Sequence, residues 1–475
     1  MQLRKSLLIT FLSSNASTVV MFGVTLVLAR LLSPADIGVF SIAVVFINIV
    51  AVFRDFGINA YLVREQHLTP AKVRSALGLV LVLSWVLATG LYLAAKPFAA
   101  FYGQPGITDV LHVLTLSFLL VPYASVLSAL LRRNMEAGKS AFVVSVSTVV
   151  YSCSCITLAL LGFSYMAMAW ANVANLLANI ACLLYVRPKD VVLMPSFKGW
   201  RAPIQFGSGD ILGNLIATTN NAVPDLLLGK FGGTHEVGLY SRANGLVGIF
   251  QQVAGPAVKY NALPYIAKNH HAKVPLSPLL TTSTSYLTGL AWPVFAVIVV
   301  FADDVITTLY GAQWLGAAPL VAVLCTSAAL QMGYSLAQPA LVAIGRPYLA
   351  ALASGANFLA RLLCIALVAL GSDGSPSLMQ FALAIGVADI VSLPVPAWLM
   401  ARHLGYTLQD SLAAHLASLK VCVLCLLMAL LLKALLPADW PAFVHLLCAA
   451  IVVGSVWLAA LRYFAHPLNK EIKGI

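Results

Sequence analysis

The chain has 475 residues, of which 61% are hydrophobic and only 9% are charged, and its mean hydropathy is +0.93. Soluble globular domains carry about 25% charged residues, so this composition excludes them and predicts a protein embedded in a lipid bilayer. The formal net charge of +12 would suggest a nucleic-acid partner for a soluble chain. In a membrane protein, however, the significance of the positive charge depends on which loops carry it. We therefore expect no nucleic-acid partner.

Apolar stretches of membrane-spanning length recur about fourteen times, separated by short polar breaks. A membrane helix needs about 20 apolar residues, so we predict an all-α integral membrane protein with about 14 transmembrane helices. The first run, about residues 7–32, is too long for a signal-peptide core, and we expect an uncleaved first span. We predict a cytoplasmic break at Val63 to Ser75 and an outer loop at Lys96 to Gly106.

Two stretches that lie 200 residues apart align without a gap, residues 28–43 and 228–243. The matched pairs are Leu28 with Leu228, Arg30 with Lys230, Asp36 with Glu236, Gly38 with Gly238, Phe40 with Tyr240 and Ser41 with Ser241. Internal duplication is a common origin of transporter folds. We therefore predict two pseudo-symmetric six-helix lobes. The predicted segments are 1–186 for the first lobe, 187–203 for a cytoplasmic linker, 204–402 for the second lobe, and 403–475 for two additional helices and a cytoplasmic tail.

Lysine and arginine are concentrated in alternate breaks, whereas the intervening breaks hold acidic residues. The basic group includes Arg64, Lys72, Arg74, Arg132, Arg133, Lys139, Arg187, Lys189, Lys198, Arg201, Arg346, Arg402, Arg462, Lys470 and Lys473. Cytoplasmic loops of membrane proteins carry such an excess of positive charge. The pattern predicts that both termini are cytoplasmic.

All eight cysteines lie in apolar runs, and Cys422 with Cys425 forms a CxxC inside a predicted span. Metal and redox sites need several converging ligands, and this pair has no second cysteine pair or histidine nearby in the sequence. We interpret the cysteines as packing residues and expect no metal and no cofactor.

Three motifs together resemble a known family. They are SPADIGVFS from Ser33, RDFGINAYLVRE from Arg54, and GLYSRANGLVGIFQQV from Gly238. Their order, with this length and number of spans, resembles the bacterial polysaccharide transport family of the multidrug/oligosaccharidyl-lipid/polysaccharide exporter superfamily, and the colanic-acid exporters most of all. The resemblance implies two lobes around a cavity that opens alternately to either side of the bacterial inner membrane. It also implies a substrate, an undecaprenyl-pyrophosphate-linked oligosaccharide flipped to the periplasmic leaflet, and possible partners in a polysaccharide polymerase and chain-length machinery.

Polar residues within predicted spans indicate where a cavity lies, because a charge at a span centre costs about 2.5 to 3.5 kcal/mol on insertion scales. Asn214, Thr218, Asn221 and Asp225 share one helical face of span seven. Because Pro224 precedes Asp225, a kink there is a candidate hinge. Span eight adds Arg242 and Gln252. We take these residues as candidate substrate contacts, with Asp225 also a candidate for ion coupling.

Three arginines could hold a pyrophosphate, because a guanidinium donates two parallel hydrogen bonds to phosphate oxygens. They are Arg54, Arg242 and Arg361. Arg361 and Asp389 could instead pair with each other, or with Arg54 and Asp55, or serve a coupling ion. Since Arg54 and Asp55 are sequence neighbours about 100 degrees apart on a helix, we expect each to need another partner.

The sequence favours flipping of a lipid-linked oligosaccharide, and no catalytic role is expected. A cation-coupled multidrug exporter of the same superfamily is the first alternative, since Asp225, Asp389 and the duplication fit it too. The two additional spans and the arginines argue against it. A membrane-embedded polysaccharide polymerase is the second alternative, and it would usually have a sizeable extramembrane loop that carries carboxylates.

Overall fold

A computed structural model describes residues 2–55, 57–187, 194–372 and 376–473. Within these ranges the structure does not describe the side chains at 2–12, 14, 60, 201–203, 205–212, 249–264, 271, 472 and 473. The described residues form helices and loops, with no strand among them. The chain divides into two compact units, unit 1 at Met1–Gly238 and unit 2 at Leu239–Ile475. The predicted lobe and linker boundaries stay predictions.

The described part of unit 1 contains eight helices and the first turn of a ninth. They are α1 (Gln2–Leu31), α2 (Pro34–Asp55), α3 (Ile58–Arg64), α4 (Pro70–Tyr102), α5 (Gly106–Arg133), α6 (Ala137–Leu160), α7 (Met166–Val186), α8 (Arg201–Phe231) and the start of α9 (Thr234–His271). Unit 2 contains the rest of α9 and ten further α-helices. They are α10 (Ser277–Val300), α11 (Ala302–Leu309), α12 (Ala318–Met332), α13 (Ala337–Ala343), α14 (Pro347–Gly371), α15 (Leu378–Val391), α16 (Pro394–Leu404), α17 (Leu408–Leu435), α18 (Ala442–Tyr463) and α19 (Leu468–Lys473).

Eleven helical segments in the described part of the chain are long and apolar enough to cross a membrane. They confirm the predicted all-α integral membrane class. Predicted spans one, seven and eight correspond to α1, α8 and α9, whose side chains are described only in part. The number fourteen and the cytoplasmic position of both termini stay predictions.

Two predicted breaks are shorter than expected. Helix α4 continues through Pro97 to Tyr102, so the outer loop shrinks to residues 103–105. Its last turns are held by aromatic packing, with the Phe98 ring stacked 4.1 Å from Phe46, and by a 3.1 Å hydrogen bond from the Tyr102 hydroxyl to the Leu226 carbonyl. The break at residues 65–69, predicted to be cytoplasmic, is short because α4 begins at Pro70, directly after its N-cap Thr69, and proline is favoured in the first turn of a helix.

Helix interruptions coincide with some of the prolines but not with others. Predicted span twelve is split into α15 and α16 directly before Pro394, as expected for a residue that lacks an amide donor. Predicted span ten is split into α12 and α13 at residues 333–336. Helices α5, α8 and α10 run on through Pro122, Pro224 and Pro293.

The duplicated stretches meet each other in unit 1 through two glycines. A Cβ on Gly38 would lie 1.7 Å from the carbonyl oxygen of Thr234, and a Cβ on Gly238 would lie 1.9 Å from that of Pro34. Only glycine allows this approach of the first turns of α2 and α9. Because residues 34 and 38 align with 234 and 238, the contact is reciprocal.

The segment before α8 is attached to α4. The Ser196 amide donates to the Arg74 carbonyl at 2.8 Å, and Arg74 Nε donates to the Met194 carbonyl at 3.0 Å. The Gly78 backbone lies directly beneath, since a Cβ there would be 2.2 Å from the Ser196 carbonyl oxygen. The end of the predicted linker is therefore held against a membrane helix.

Replacing Gly78 by alanine is expected to detach this segment, because a backbone carbonyl cannot move aside alone. Trypsin should then cleave the purified protein faster at the exposed Lys198, since proteolysis follows local exposure of the backbone. The matched control is Gly90→Ala on the same helix, where a Cβ meets nothing within 4 Å. Equal cleavage rates for the two variants would contradict the attachment.

Candidate functional site

A break in the second membrane helix creates the polar site of unit 1. Helix α2 ends at Asp55 and α3 begins at Ile58. Gly57 between them has a φ of +63°, a left-handed conformation that glycine adopts at no steric cost. The interruption lies directly beside Arg54 and Asp55.

A pocket of about 540 Å³ adjoins this break. Its described lining comes from α2, from Gly57 and from α8: Val45, Asn48, Ala51, Val52, Arg54, Asp55, Gly57, Asn214, Thr218, Asn221 and Ala222. Small-molecule sites usually occupy about 300 to 1,000 Å³ and combine apolar walls with a few polar groups. In volume and in lining, this pocket resembles such sites.

Arg54 and Asp55 pair with each other, so the expectation that neighbours on a helix each need another partner is wrong. Arg54 Nε donates to Asp55 Oδ1 at 2.8 Å. Asp55 is the last residue of α2, directly before the interruption of the helix. The guanidinium also lies 4.8 Å from the centre of the Phe118 ring, a cation–π contact.

Three of the four polar residues predicted on one face of span seven do line the pocket. They are Asn214, Thr218 and Asn221 on α8. Asp225 lies one turn further along and is not among the described lining residues. Its Oδ1 atom is buried and has no hydrogen-bond partner within the described structure, while α8 continues unbroken through the buried Pro224. Its coupling role, and that of the Pro224 kink, stay predictions.

Arg361 and Asp389 form an ion pair in unit 2, as one of the alternatives held. Arg361 Nε donates to Asp389 Oδ1 at 2.9 Å, and only 14% and 7% of the two side chains are exposed. The Asn357 amide donates to the same carboxylate oxygen at 3.0 Å and to Ser392 Oγ at 2.8 Å. The ion pair and Asn357 therefore join α14 to α15 and to Ser392, which directly follows α15. Contact of Arg361 with substrate stays a prediction.

Arg242 packs against two aromatic rings in unit 2. Its guanidinium carbon lies 5.9 Å from the centre of the Tyr310 ring and 5.6 Å from that of Trp314, and both aromatic side chains are fully buried. The rings follow α11, so Arg242 helps to hold this region to α9. The Gln252 side chain lies outside the described residues, and the substrate contacts of both residues stay predictions.

Sequence reasoning missed Asn48 and Asn357. Asn48 lines the pocket from α2, seven residues before Asp55, and Asn357 stands four residues before Arg361. Each is a polar residue within an apolar run, at helical spacing from a charge that had been singled out. That spacing was the signal available in the sequence.

The whole chain is similar in fold to solved transporters. The structure of the Lipid II flippase MurJ in an inward closed conformation matches 97% of this chain and 99% of its own, with a TM-score of 0.79 and 13% identity. An inward-facing multidrug resistance MATE family transporter of the MOP superfamily matches 81% of this chain and 94% of its own, with a TM-score of 0.63 and 15% identity. The chain shares the fold of these two proteins.

Sequence comparison identifies the family. The family model described as "Polysaccharide biosynthesis protein" matches residues 27–319. The succinoglycan biosynthesis transport protein ExoT of Rhizobium meliloti (strain 1021) is 27% identical over 438 residues, which cover 90% of this chain and 86% of ExoT. The chain belongs to the polysaccharide biosynthesis protein family, and the resemblance noted in its sequence is confirmed.

Proposed function

We propose that this protein flips an undecaprenyl-pyrophosphate-linked oligosaccharide from the cytoplasmic to the periplasmic leaflet of the bacterial inner membrane. The observation that carries the proposal is the pocket between α2 and α8, where amides, a hydroxyl and an ion pair line a cavity among membrane helices. Polar groups within a membrane protein are expensive unless they serve a pathway or a ligand. A glycan head group requires such a lining, whereas its polyprenyl tail can remain in the lipid.

The relatives support this class of substrate. ExoT is a transport protein of succinoglycan biosynthesis, and MurJ, which shares the fold, is a lipid II flippase. In this proposal the pocket is presented alternately to the two leaflets, and no bond of the substrate is made or broken. A polysaccharide polymerase and chain-length machinery would act on the flipped product.

The test is the fate of the lipid-linked repeat unit in cells depleted of this protein. Mass spectrometry of extracted lipids identifies the unit, and labelling in right-side-out and inverted vesicles identifies its leaflet. We expect complete repeat units to accumulate on the cytoplasmic leaflet, periplasmic polymer to disappear, and the wild-type gene to restore both.

Other distributions of the unit would contradict the proposal. Accumulation of complete units on the periplasmic leaflet would indicate that polymerisation is the missing step. Normal flipping with increased sensitivity to cationic drugs would indicate the exporter function that the shared fold with the MATE transporter also accommodates.

A further inference from the structure

The charges around the pocket between α2 and α8 are balanced. Arg54 and Asp55 are the charged side chains among its described lining residues, and they neutralise each other across 2.8 Å. The exposed member is the acid, because 46% of the Asp55 side chain is exposed but only 13% of that of Arg54. A carboxylate that is ionised only accepts hydrogen bonds. The described lining therefore offers no surplus positive charge to a pyrophosphate.

The remaining polar lining suits hydroxyl groups. Asn48, Asn214 and Asn221 are amides of the lining, each able to donate and to accept, and Thr218 adds a hydroxyl. On α8 the three polar residues recur at intervals of four and three, so they line one side of the pocket. A sugar presents hydroxyls that likewise donate and accept around its ring.

The apolar lining complements the other surface of a sugar ring. Val45, Ala51, Val52 and Ala222 present small apolar side chains between the amides. The C–H faces of a pyranose can pack on such groups while its hydroxyls turn toward the polar ones. The volume of about 540 Å³ falls within the usual range of small-molecule sites.

We infer that this pocket is a sugar site that binds uncharged pyranose units, with Asp55 accepting hydrogen bonds from sugar hydroxyls. This inference rests on the proposed function and narrows its substrate class. Because the carboxylate is the exposed member of this neutral pair, an acidic sugar meets Asp55 rather than Arg54, so the pocket favours neutral units over uronic acids. The pyrophosphate of the same substrate lies elsewhere when the sugar occupies this pocket.

The experiment is saturation-transfer NMR on the purified full-length protein in detergent. Its probes are cellobiose and cellobiouronic acid, which differ by one carboxylate, and inorganic pyrophosphate is added as a competitor. We expect transfer to cellobiose, weaker transfer to cellobiouronic acid, and no displacement of cellobiose by pyrophosphate. Displacement by pyrophosphate, or stronger transfer to the acid, would overturn the inference.

Two variants test the assigned residues. Asn221→Leu should weaken cellobiose binding about 3- to 10-fold, the effect of one lost hydrogen bond. Asp55→Asn removes the exposed negative charge while Arg54 keeps its positive one, so transfer to cellobiouronic acid should rise to at least that of cellobiose. A purely structural role of Asp55 would not reverse the preference between the two sugars.

The control and the contrary outcomes separate this inference from the proposed function. Asn172→Leu changes a half-buried amide on α7 that donates to the Met168 carbonyl, and it should bind cellobiose as the wild type does. If Asn221→Leu also binds cellobiose normally, the sugar site is overturned even where depleted cells accumulate unflipped repeat units. Normal flipping in depleted cells would overturn the proposed function, whatever the sugar-binding result.

Discussion

Replacing Gly38 by alanine is expected to lower the thermal stability of the purified protein, and Gly238→Ala should do the same. The added methyl groups would lie 1.7 Å and 1.9 Å from backbone carbonyl oxygens, so α2 and α9 must separate at their first turns. Overpacking of this kind costs about 1 to 3 kcal/mol, and it outweighs the gain of up to about 1 kcal/mol that alanine brings to a helix. The intrinsic fluorescence of the protein on heating measures the shift.

The controls come from glycines in the same unit. Gly23 and Gly90 lie within helices, and a Cβ on either meets nothing within 4 Å. Gly90→Ala should leave the melting temperature unchanged or raise it slightly. The double variant of Gly38 and Gly238 should lose less than the sum of the single losses, because both methyl groups separate the same two turns. Unchanged melting of both single variants would refute the close approach.

Breaking the ion pair between Arg361 and Asp389 is expected to be the most destabilising change in unit 2. Asp389→Leu leaves the buried Arg361 guanidinium without its carboxylate, and Arg361→Met leaves the buried Asp389 carboxylate without its guanidinium. Losing one partner of a buried ion pair costs about 3 to 5 kcal/mol. Replacing both residues together should recover much of that loss, since the buried charges disappear with the pair. Thermal unfolding of the four proteins forms a double-mutant cycle.

The same cycle tests whether Arg361 does more than pair. A double variant that regains stability and also flips the repeat unit would show that the pair is structural. Regained stability with lost flipping would support a contact of Arg361 with substrate. Arg402→Met serves as control, because it removes an exposed arginine that packs 5.6 Å from the Trp398 ring and should change stability little. A strictly additive cycle would contradict the pairing.

The sequence predicted some of the site residues well because helical periodicity is a local property. Asn214, Thr218 and Asn221 share a face by spacing alone, and the structure brings them to one pocket. Asp36 lies in the first turn of α2, where it accepts hydrogen bonds from the amide and the hydroxyl of Ser33 at 3.0 Å and 2.6 Å. Such arrangements depend on residues within one or two turns of each other.

The partners of the charged residues were not predictable in the same way. Arg54 was expected to find a partner away from Asp55, yet the end of α2 at the Gly57 break lets the two side chains meet. Arg242 was a candidate for phosphate binding, which stays a prediction, and in the structure it packs on two rings that lie 68 and 72 residues away in sequence. Both outcomes depend on where a helix stops and which distant segment packs beside it.

The sequence by itself determined that this is a helical membrane protein with an internal repeat pattern, because hydrophobic length and periodicity are set by covalent order and need no knowledge of packing. The sequence also identified the family, because three motifs occur in it in the order that is typical of that family. Only the tertiary structure decided that α2 breaks beside an ion pair, that Asn48 of α2 and the amides of α8 line one pocket, and that Gly38 and Gly238 bring two backbones together. The pocket and the glycine contact join segments more than 150 residues apart, and helical periodicity within one segment does not specify which other segment it will face.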